Sequence, residues 1–324
     1  KIMKITRYVI GLTMLLAVVA PAPTEGYKEW LKRKDALKQD DSVARYYTFE
    51  DVKDSKSTVT DLSSNGKNLA FIPYKDSETG KLFDDLQVIE GRWPEKKAVR
   101  LDRGFYQGDA VPIQNKQFTA EVWFRRQGPG SIAAASKLKD GTILAVSGYN
   151  QGWRIVTNYE QVETLRFCIG QKEGCASVAT KAALPDNIWQ HLAVTWDGHY
   201  MRIYINGKLV EQQTRIIADR KRVDVNKFEG EYVNSVIPFK IGYSDYGVGS
   251  IKMDIDEVVI YNRALSAEEI EQLGKGPSGV SEQEVFLKAD AFIKTGDYKN
   301  ARAEYEKLKG LPSFGMELAL FNIA

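Results

Sequence analysis

The chain has 324 residues, and its 43% hydrophobic and 27% charged residues are typical of a folded globular protein of one large or two small domains. Its 45 basic and 43 acidic residues leave a net charge of +2, whereas a nucleic-acid partner usually demands a clear basic excess. Two histidines and two cysteines are too few for the common zinc, haem and iron–sulfur sites.

Residues 1–22 have the pattern of a targeting segment. Basic residues precede an apolar run over 8–20, which is short for a membrane-spanning helix and ends in small residues. This pattern predicts a signal peptide. Pro23 hinders cleavage after the small residues, so an uncleaved membrane anchor is the alternative. In either case we expect an exported protein (periplasmic, cell-surface or extracellular), which meets a membrane only through this segment and only if the segment is uncleaved.

Residues 25–40 have apolar side chains at helical spacing. Tyr27, Trp30, Leu31 and Leu37 recur at intervals typical of one helix face, with lysines and aspartates between them. The spacing predicts a short amphipathic helix that packs on the following domain or leads into it.

From Ala44 onward the pattern changes to short strands. The segment FTAEVWFRR (118–126) alternates between apolar and polar residues, and WQHLAVTWDGHYMRIYINGKLV (189–210) has hairpin signals at Asp197-Gly198 and Asn206-Gly207. Further strands are predicted at 239–243 and 251–264. Because no helical segment follows each strand, the sequence indicates an all-β antiparallel sandwich or barrel and excludes a βαβ fold.

Cys168 and Cys175 flank a polar turn between two short β-like runs. This arrangement predicts a disulfide across a hairpin, in agreement with export. The alternative is a pair of free thiols in facing strands. The spacing differs from the C-x-x-C motif of redox enzymes.

Two groups of residues are candidates for binding. Asp61 and Asn65 lie in an oxygen-rich turn (61–68), which favours a calcium ion, although such residues also form ordinary turns with their own backbone. Tyr149 and Trp153 lie in a Gly/Asn-rich region, and Tyr246 follows a predicted strand. Aromatic planes of this kind bind the apolar face of a sugar, and the alternative is partial burial at strand ends.

The C-terminal part of the chain has a different pattern. Residues 274–283 are rich in Gly, Ser and Pro, as linkers are, and 284–324 have helical spacing with small and aromatic residues placed as in a tetratricopeptide helix pair. A lone repeat cannot bury its apolar face. We therefore expect the natural chain to continue beyond Ala324 or a protein partner to cover these helices. The alternative is a helical cap folded onto the sandwich.

The segment at 189–210, followed by DIDEVVIYNRALSAEEI (254–270), resembles the laminin G-like, concanavalin A-like lectin domains. YYTFED (46–51) and DLSSNGKN (61–68) are similar to the opening of this family, so the resemblance covers roughly 44–273. It implies a jelly-roll sandwich of two curved antiparallel sheets. It also places Asp256 near the oxygen-rich turn, which would complete a structural calcium site with Asp61 and Asn65.

Some members of this fold are glycosidases, which carry two carboxylates on one strand, in a Glu-x-Asp-x-(x)-Glu pattern. The nearest segment is 253–257, where alternation predicts Asp254 and Asp256 on one face, Glu257 on the other, and no glutamate at either end of the motif. The sequence therefore predicts a non-enzymatic recognition module that binds a glycan or a protein at the cell surface. Alternatives are a structural building block of a surface layer or filament and, third, a glycoside hydrolase.

Overall fold

The computed structural model describes residues 24–76, 79–129, 141–148, 150–157, 164–172, 174–181, 184–218, 221–228, 230–243, 251–274 and 282–305. The predicted targeting segment lies outside these ranges, as does most of the predicted linker. Among the described residues, no helix combines the length and the apolar character needed to cross a bilayer.

The middle of the chain is built from antiparallel strands. In chain order they are β1 Val43–Tyr47, β2 Thr58–Val59, β3 Leu69–Lys75, β4 Leu82–Phe83, β5 Gln87–Glu90, β6 Lys97–Leu101, β7 Gly104–Gly108, β8 Phe118–Pro129, β9 Thr142–Ser147, β10 Gly152–Thr157, β11 Leu165–Gln171, β12 Gly174–Ala179, β13 Trp189–Trp196, β14 Met201–Ile205, β15 Lys208–Glu211, β16 Thr214–Ala218, β17 Lys221–Val225, β18 Phe239–Ile241 and β19 Ile251–Tyr261. The helices are α1 Glu25–Leu37, α2 Ala267–Gly274, α3 Glu282–Lys294 and α4 Tyr298–Tyr305.

The strands form two sheets. Sheet A has the order β15-β14-β13-β8-β19-β6-β5, with β1 also paired to β19, and sheet B has the order β17-β16-β12-β11-β10-β9-β18-β7-β3-β2, with β4 paired to β3. Many neighbours are distant in sequence, as in a jelly roll. The predicted antiparallel sandwich is thereby confirmed.

The main hydrophobic core lies between the two sheets. Alternation along β8 and β13 sends Val122, Phe124, Leu192 and Val194 inward, and all four are fully or almost fully buried. Sheet B contributes the other half of the core, including Trp153. The alternation that the sequence shows over 118–126 therefore matches the inner face of β8.

The two predicted turns of the 189–210 segment differ in form. Asn206 and Gly207 both have positive φ, 49° and 77°, and join β14 to β15 in the tight hairpin that was expected. The Asp197-Gly198 pair instead lies in a longer loop, over 197–200. The Asp197 side chain closes this loop by accepting hydrogen bonds from the backbone N–H groups of His199 (2.9 Å) and Tyr200 (2.7 Å).

Helices cover the outer face of sheet A. Leu37 at the end of α1 and Ile270 in α2 join a second apolar cluster with residues of this face, including Tyr46 and Val259. The helix predicted over 25–40 is confirmed but ends at Leu37, and the turn that follows leads into β1. Both helices therefore belong to the sandwich.

A buried cluster of charges fixes α1 to this face. Trp30 Nε1 donates to Glu257 Oε1 at 3.1 Å, and Arg33 binds both Glu257, at 3.3 Å, and Glu121. Arg92, from the loop before β6, donates to Glu257 at 2.6 Å. Both carboxylates are only 1% exposed, so each depends on these cations for the interactions that it has lost with water.

A β-bulge in β19 creates the cluster. In the pairing with β8, Ile255 lies opposite Phe124 and Glu257 lies opposite Trp123, so Asp256 is an extra residue. The bulge turns Glu257 onto the outer face, where Asp254 also lies and binds Arg125 at 2.8 Å. The expectation that Glu257 faces away from Asp254 is wrong because it assumed uninterrupted alternation.

The C-terminal helices form a short antiparallel pair. Gly296, with φ +76°, turns the chain between α3 and α4, and Ala301 in α4 is buried. Val285 and Ala289 of α3 are buried, and α3 contacts β13 of sheet A. This contact agrees with a cap folded onto the sandwich. The tetratricopeptide assignment stays a prediction, and residues 306–324 lie outside the described ranges.

We expect Glu257→Gln to lower the free energy of unfolding by about 3 kcal/mol, because it leaves the buried Arg92 and the half-buried Arg33 without a full counter-charge. Urea denaturation at neutral pH measures this loss. The matched control is Glu29→Gln, also in α1, which removes an exposed ion pair between Glu29 and Lys32. We expect it to lower the free energy of unfolding much less. Equal losses in the two variants would contradict the role given to the cluster.

The same cluster predicts acid sensitivity. Burial by itself raises the pKa of Glu257, but Arg33, Arg92 and Lys96 outweigh it and lower this pKa to about 2. A carboxylate with a lowered pKa in the folded state stabilises the fold above its unfolded pKa and loses that contribution as the pH falls toward about 2. Urea midpoints measured from pH about 5 downward should fall steeply in the wild type and less steeply in Glu257→Gln.

Candidate functional site

The outer face of sheet B carries a row of polar and aromatic side chains. Strand register places Cys168 opposite Arg154, Arg154 opposite Ala145, Ala145 opposite Lys240, and Lys240 opposite Gln107. Their chain neighbours Trp153, Leu144 and Ile241 point into the core. We call this row, together with Phe105, Tyr243, Arg166 and Cys175, the polar face of sheet B.

An aromatic pair lies at one end of the polar face. Phe105 and Tyr243 stack with ring centroids 4.7 Å apart and planes 18° apart. The ammonium group of Lys240 lies 5.6 Å from the first ring and 5.3 Å from the second, within the range of cation–π attraction. Both rings are partly exposed, whereas Lys240 is buried. The pair therefore offers an aromatic surface with a cation beside it.

The two cysteines lie at the other end. Both are free thiols in the structure, in facing strands, without the predicted disulfide. A hydrogen bond from the Cys168 thiol, opposed by burial and assisted by Arg154 and Arg166, lowers the pKa of Cys175 to about 6. The same hydrogen bond and burial raise the pKa of Cys168 well above its ordinary value. Cys175 is therefore the more acidic thiol of the pair.

Trp153 is not a surface residue. It is 1% exposed, packs 5.2 Å from Phe118 between ring centroids, and donates from Nε1 to the backbone carbonyl of Val111 at 3.3 Å. The prediction that it binds ligand is corrected, because the alternation of β10 turns Trp153 inward and Arg154 outward. Tyr149 and Tyr246, predicted with it, lie outside the described residues.

Side chains of the oxygen-rich turn (61–68) are hydrogen-bonded to backbone groups. Asp61 Oδ1 accepts from the N–H groups of Tyr46 (2.9 Å) and Ser63 (3.0 Å), and Oδ2 accepts from Lys67 N–H (2.9 Å). The Asn65 side chain donates to the carbonyl of Ala44 at 3.1 Å. The contacts of Asp61 with Ser63 and Lys67 are those of an ordinary turn, whereas Tyr46 and Ala44 belong to β1.

Asp256 belongs to a different group of contacts. Its Oδ1 lies 2.8 Å from both Arg92 Nε and Lys96 Nζ, and its Oδ2 accepts from Arg92 N–H. Asp61, Asn65 and Asp256 therefore do not share one coordination sphere, and as placed they do not fit a calcium ion. Among the described residues, no three acidic, histidine or cysteine side chains form a group that could hold a metal. Calcium binding stays a prediction without support from this geometry.

Sequence reasoning missed most of the polar face. Phe105, Arg154 and Lys240 come from strands that are far apart in the chain and adjacent only in the sheet. Tyr243 is the last residue of the strand predicted over 239–243, so its place at a strand end could be read from the sequence. The alternation of β10 and β18 carried a signal, since Arg154 and Lys240 are flanked by apolar residues within short strands.

We expect Trp153→Ala to lower the free energy of unfolding by about 3–5 kcal/mol, because it leaves a cavity in the core. Denaturant unfolding measures the change. Tyr243→Ala, at a partly exposed position of the same sheet, is the control and should cost less. A Trp153→Ala protein as stable as the wild type would contradict the core position.

Two solved structures are similar to the chain. One is the binding domain of Paraclostridial Mosquitocidal Protein 1, with a TM-score of 0.52 and 19% identity, over 74% of this chain and 53% of the other. The second is domain 4 of AbnA, a GH43 extracellular arabinanase from Geobacillus stearothermophilus, in complex with arabinotriose; the TM-score is 0.51, with 18% identity over 72% of this chain and 98% of the other. At these identities the similarity shows a shared fold.

The chain spans about half the length of the first of these structures. No curated protein matches it. A family model described as the concanavalin A-like lectin/glucanases superfamily matches residues 104–271, which is more than half of the chain and includes most strands of both sheets. The chain therefore belongs to the concanavalin A-like lectin/glucanases superfamily, within its laminin G-like branch.

Proposed function

We propose that the chain is an exported, non-catalytic recognition module that binds a glycan on the polar face of sheet B. The observation that carries the proposal is the stacked Phe105–Tyr243 pair with Lys240 beside it. An aromatic plane takes the apolar face of a sugar ring, and neighbouring polar groups fix the ring's orientation.

The two sheets differ in how their outer faces are covered. Sheet A carries α1, α2 and part of α3 on its outer side, with Trp30 and Ile270 buried there. The strongest helix-to-strand contacts, those of α2 and α3, lie on β13 and β15 of this sheet. A ligand that binds to the face of a sheet would therefore reach the polar face of sheet B more readily than the helix-covered face of sheet A.

The acidic residues of β19 support a non-catalytic role. Asp254 accepts hydrogen bonds from Arg100 (2.6 Å) and Arg125 (2.8 Å), and Asp256 binds Arg92 and Lys96. Both lie on the helix-covered side of sheet A and are fully buried. An acid–nucleophile pair needs two carboxyl groups that flank a sugar bond, and these two aspartates instead neutralise internal cations.

The similar structures are consistent with a binding module. One is called a binding domain, and the other holds an arabinose oligosaccharide as a domain of an extracellular enzyme. Export of this chain rests on the signal-like residues 1–22. A protein partner for the C-terminal helices rests on the apolar positions of 284–324, and both belong to the proposal.

A glycan array with the full chain tests the binding. Once a binding glycan is found, Tyr243→Ala should weaken its binding at least about fivefold, because loss of a stacking ring costs about 1 kcal/mol or more. The matched control is Tyr298→Ala, which removes an exposed tyrosine on α4. Binding that is equal in the two variants would exclude the aromatic pair as the site.

The remaining hypotheses predict other results. Binding of a surface protein with no glycan bound would favour protein recognition. Filaments or layers formed by the purified chain without ligand would favour a structural building block. Release of reducing sugar, abolished by Asp254→Asn, would favour a hydrolase.

A further inference from the structure

Cys168 and Cys175 are close in space although six residues separate them. The β11–β12 pairing places Cys168 opposite Ser177 and Gly170 opposite Cys175, so the two cysteines are diagonal neighbours on the same face. The two thiols are close enough for each to shift the pKa of the other. The hairpin of β11 and β12 thus brings the two sulfur atoms together, although their spacing in the sequence is not that of a redox motif.

The two thiols have different surroundings. Cys168 is 1% exposed, whereas Cys175 is partly exposed on the polar face. Arg154 Nη2 lies 3.8 Å from Cys175 Sγ, and Arg166 also acts on this thiol electrostatically. On the far side of β12, Arg215 of β16 lies opposite Ser177 and binds Asp224 at 2.8 Å. Among the described residues, the charged groups shown to act on Cys175 are Arg154 and Arg166, which favour its thiolate over its thiol.

This division of roles is what thiol–disulfide exchange requires. The attacking sulfur has to be accessible and ionised near the ambient pH, and the second thiol has to lie within reach of the mixed disulfide. Cys175 meets the first requirement and Cys168 the second. A structural pair of free cysteines needs neither an arginine contact nor such a difference in acidity.

We propose that Cys175 is a reactive thiolate and that Cys168 is its resolving partner, so that a small-molecule disulfide converts the pair into a reversible intrachain disulfide. In the first step Cys175 attacks one sulfur of oxidised glutathione, forms a mixed disulfide, and releases one glutathione thiolate. In the second step Cys168 attacks Cys175 Sγ, the second glutathione leaves, and the Cys168 proton passes to a glutathione thiolate. Two protein thiols are oxidised, and one glutathione disulfide is reduced to two glutathione molecules.

Alkylation by iodoacetamide tests the reactive thiol. In reduced wild-type protein and in Cys168→Ser, the alkylation rate should rise with pH and reach half its maximum well below a pH of about 8.5, the pKa of an ordinary cysteine. Cys175→Ser should react only after unfolding. Arg154→Ala should raise the pH at which the rate is half-maximal. The control is Arg215→Ala: Arg215 lies on the same face but pairs with Asp224, so its loss should leave that pH unchanged. A wild-type midpoint at the ordinary value would overturn the proposal.

Mass spectrometry after treatment with oxidised glutathione tests the second step. Wild-type protein should lose two hydrogens and carry no glutathione, Cys168→Ser should retain one glutathione, and Cys175→Ser should remain unmodified. A reductant should restore the wild-type thiols. Persistent glutathione on the wild type, or equal modification of the two serine variants, would refute the assigned roles. The wild-type result stands even if a serine variant fails to fold.

Discussion

The buried carboxylate of Glu257 is the constraint on which the arrangement of helices and sheets depends. An ionised carboxylate removed from water is tolerated only with cations and hydrogen-bond donors around it. Those partners come from three parts of the chain: Trp30 and Arg33 in α1, Tyr46 in β1, and Arg92 before β6. The cluster therefore ties the N-terminal helix to the centre of sheet A, and α1 is a component of the fold.

This constraint also divides the surface of the sandwich. Because helices cover the outer side of sheet A with apolar side chains such as Leu37 and Ile270, the acidic residues there are removed from water and need cations as partners. The opposite sheet has a different composition on its outer side, with Lys240, Arg154 and the Phe105–Tyr243 pair. Because the two outer faces carry different side chains, we assign helix packing to that of sheet A and ligand binding to that of sheet B.

The sequence revealed what depends on local periodicity. The strands at 118–126 and 189–210, the Asn206-Gly207 hairpin and the first helix were predictable because alternation, turn preferences and helical spacing act over a few residues. The bulge at Asp256 was not, since only the register with Phe124 and Trp123 of another strand shows that one residue is extra. A single inserted residue reversed the side on which Glu257 lies.

The candidate site was less predictable because its chemistry depends on partners distant in the sequence. Asp256 in an acidic strand resembles a metal ligand until Arg92 and Lys96, about 160 residues earlier, are seen beside it. Trp153 resembles a sugar-binding residue until its sheet shows which face is the core. In each case the residue type was informative, and the missing information was the pairing that only the folded chain supplies.

The thiol pair links the two proposals through charge. A Cys175 thiolate beside Arg154 neutralises part of the positive charge on the polar face, and a disulfide carries no charge. Closing the bridge therefore makes this face more positive. Only strand β9, with Ala145, separates Arg154 from Lys240. Because the effect is electrostatic, it should act most strongly on a ligand that carries an anionic group and little on a neutral sugar.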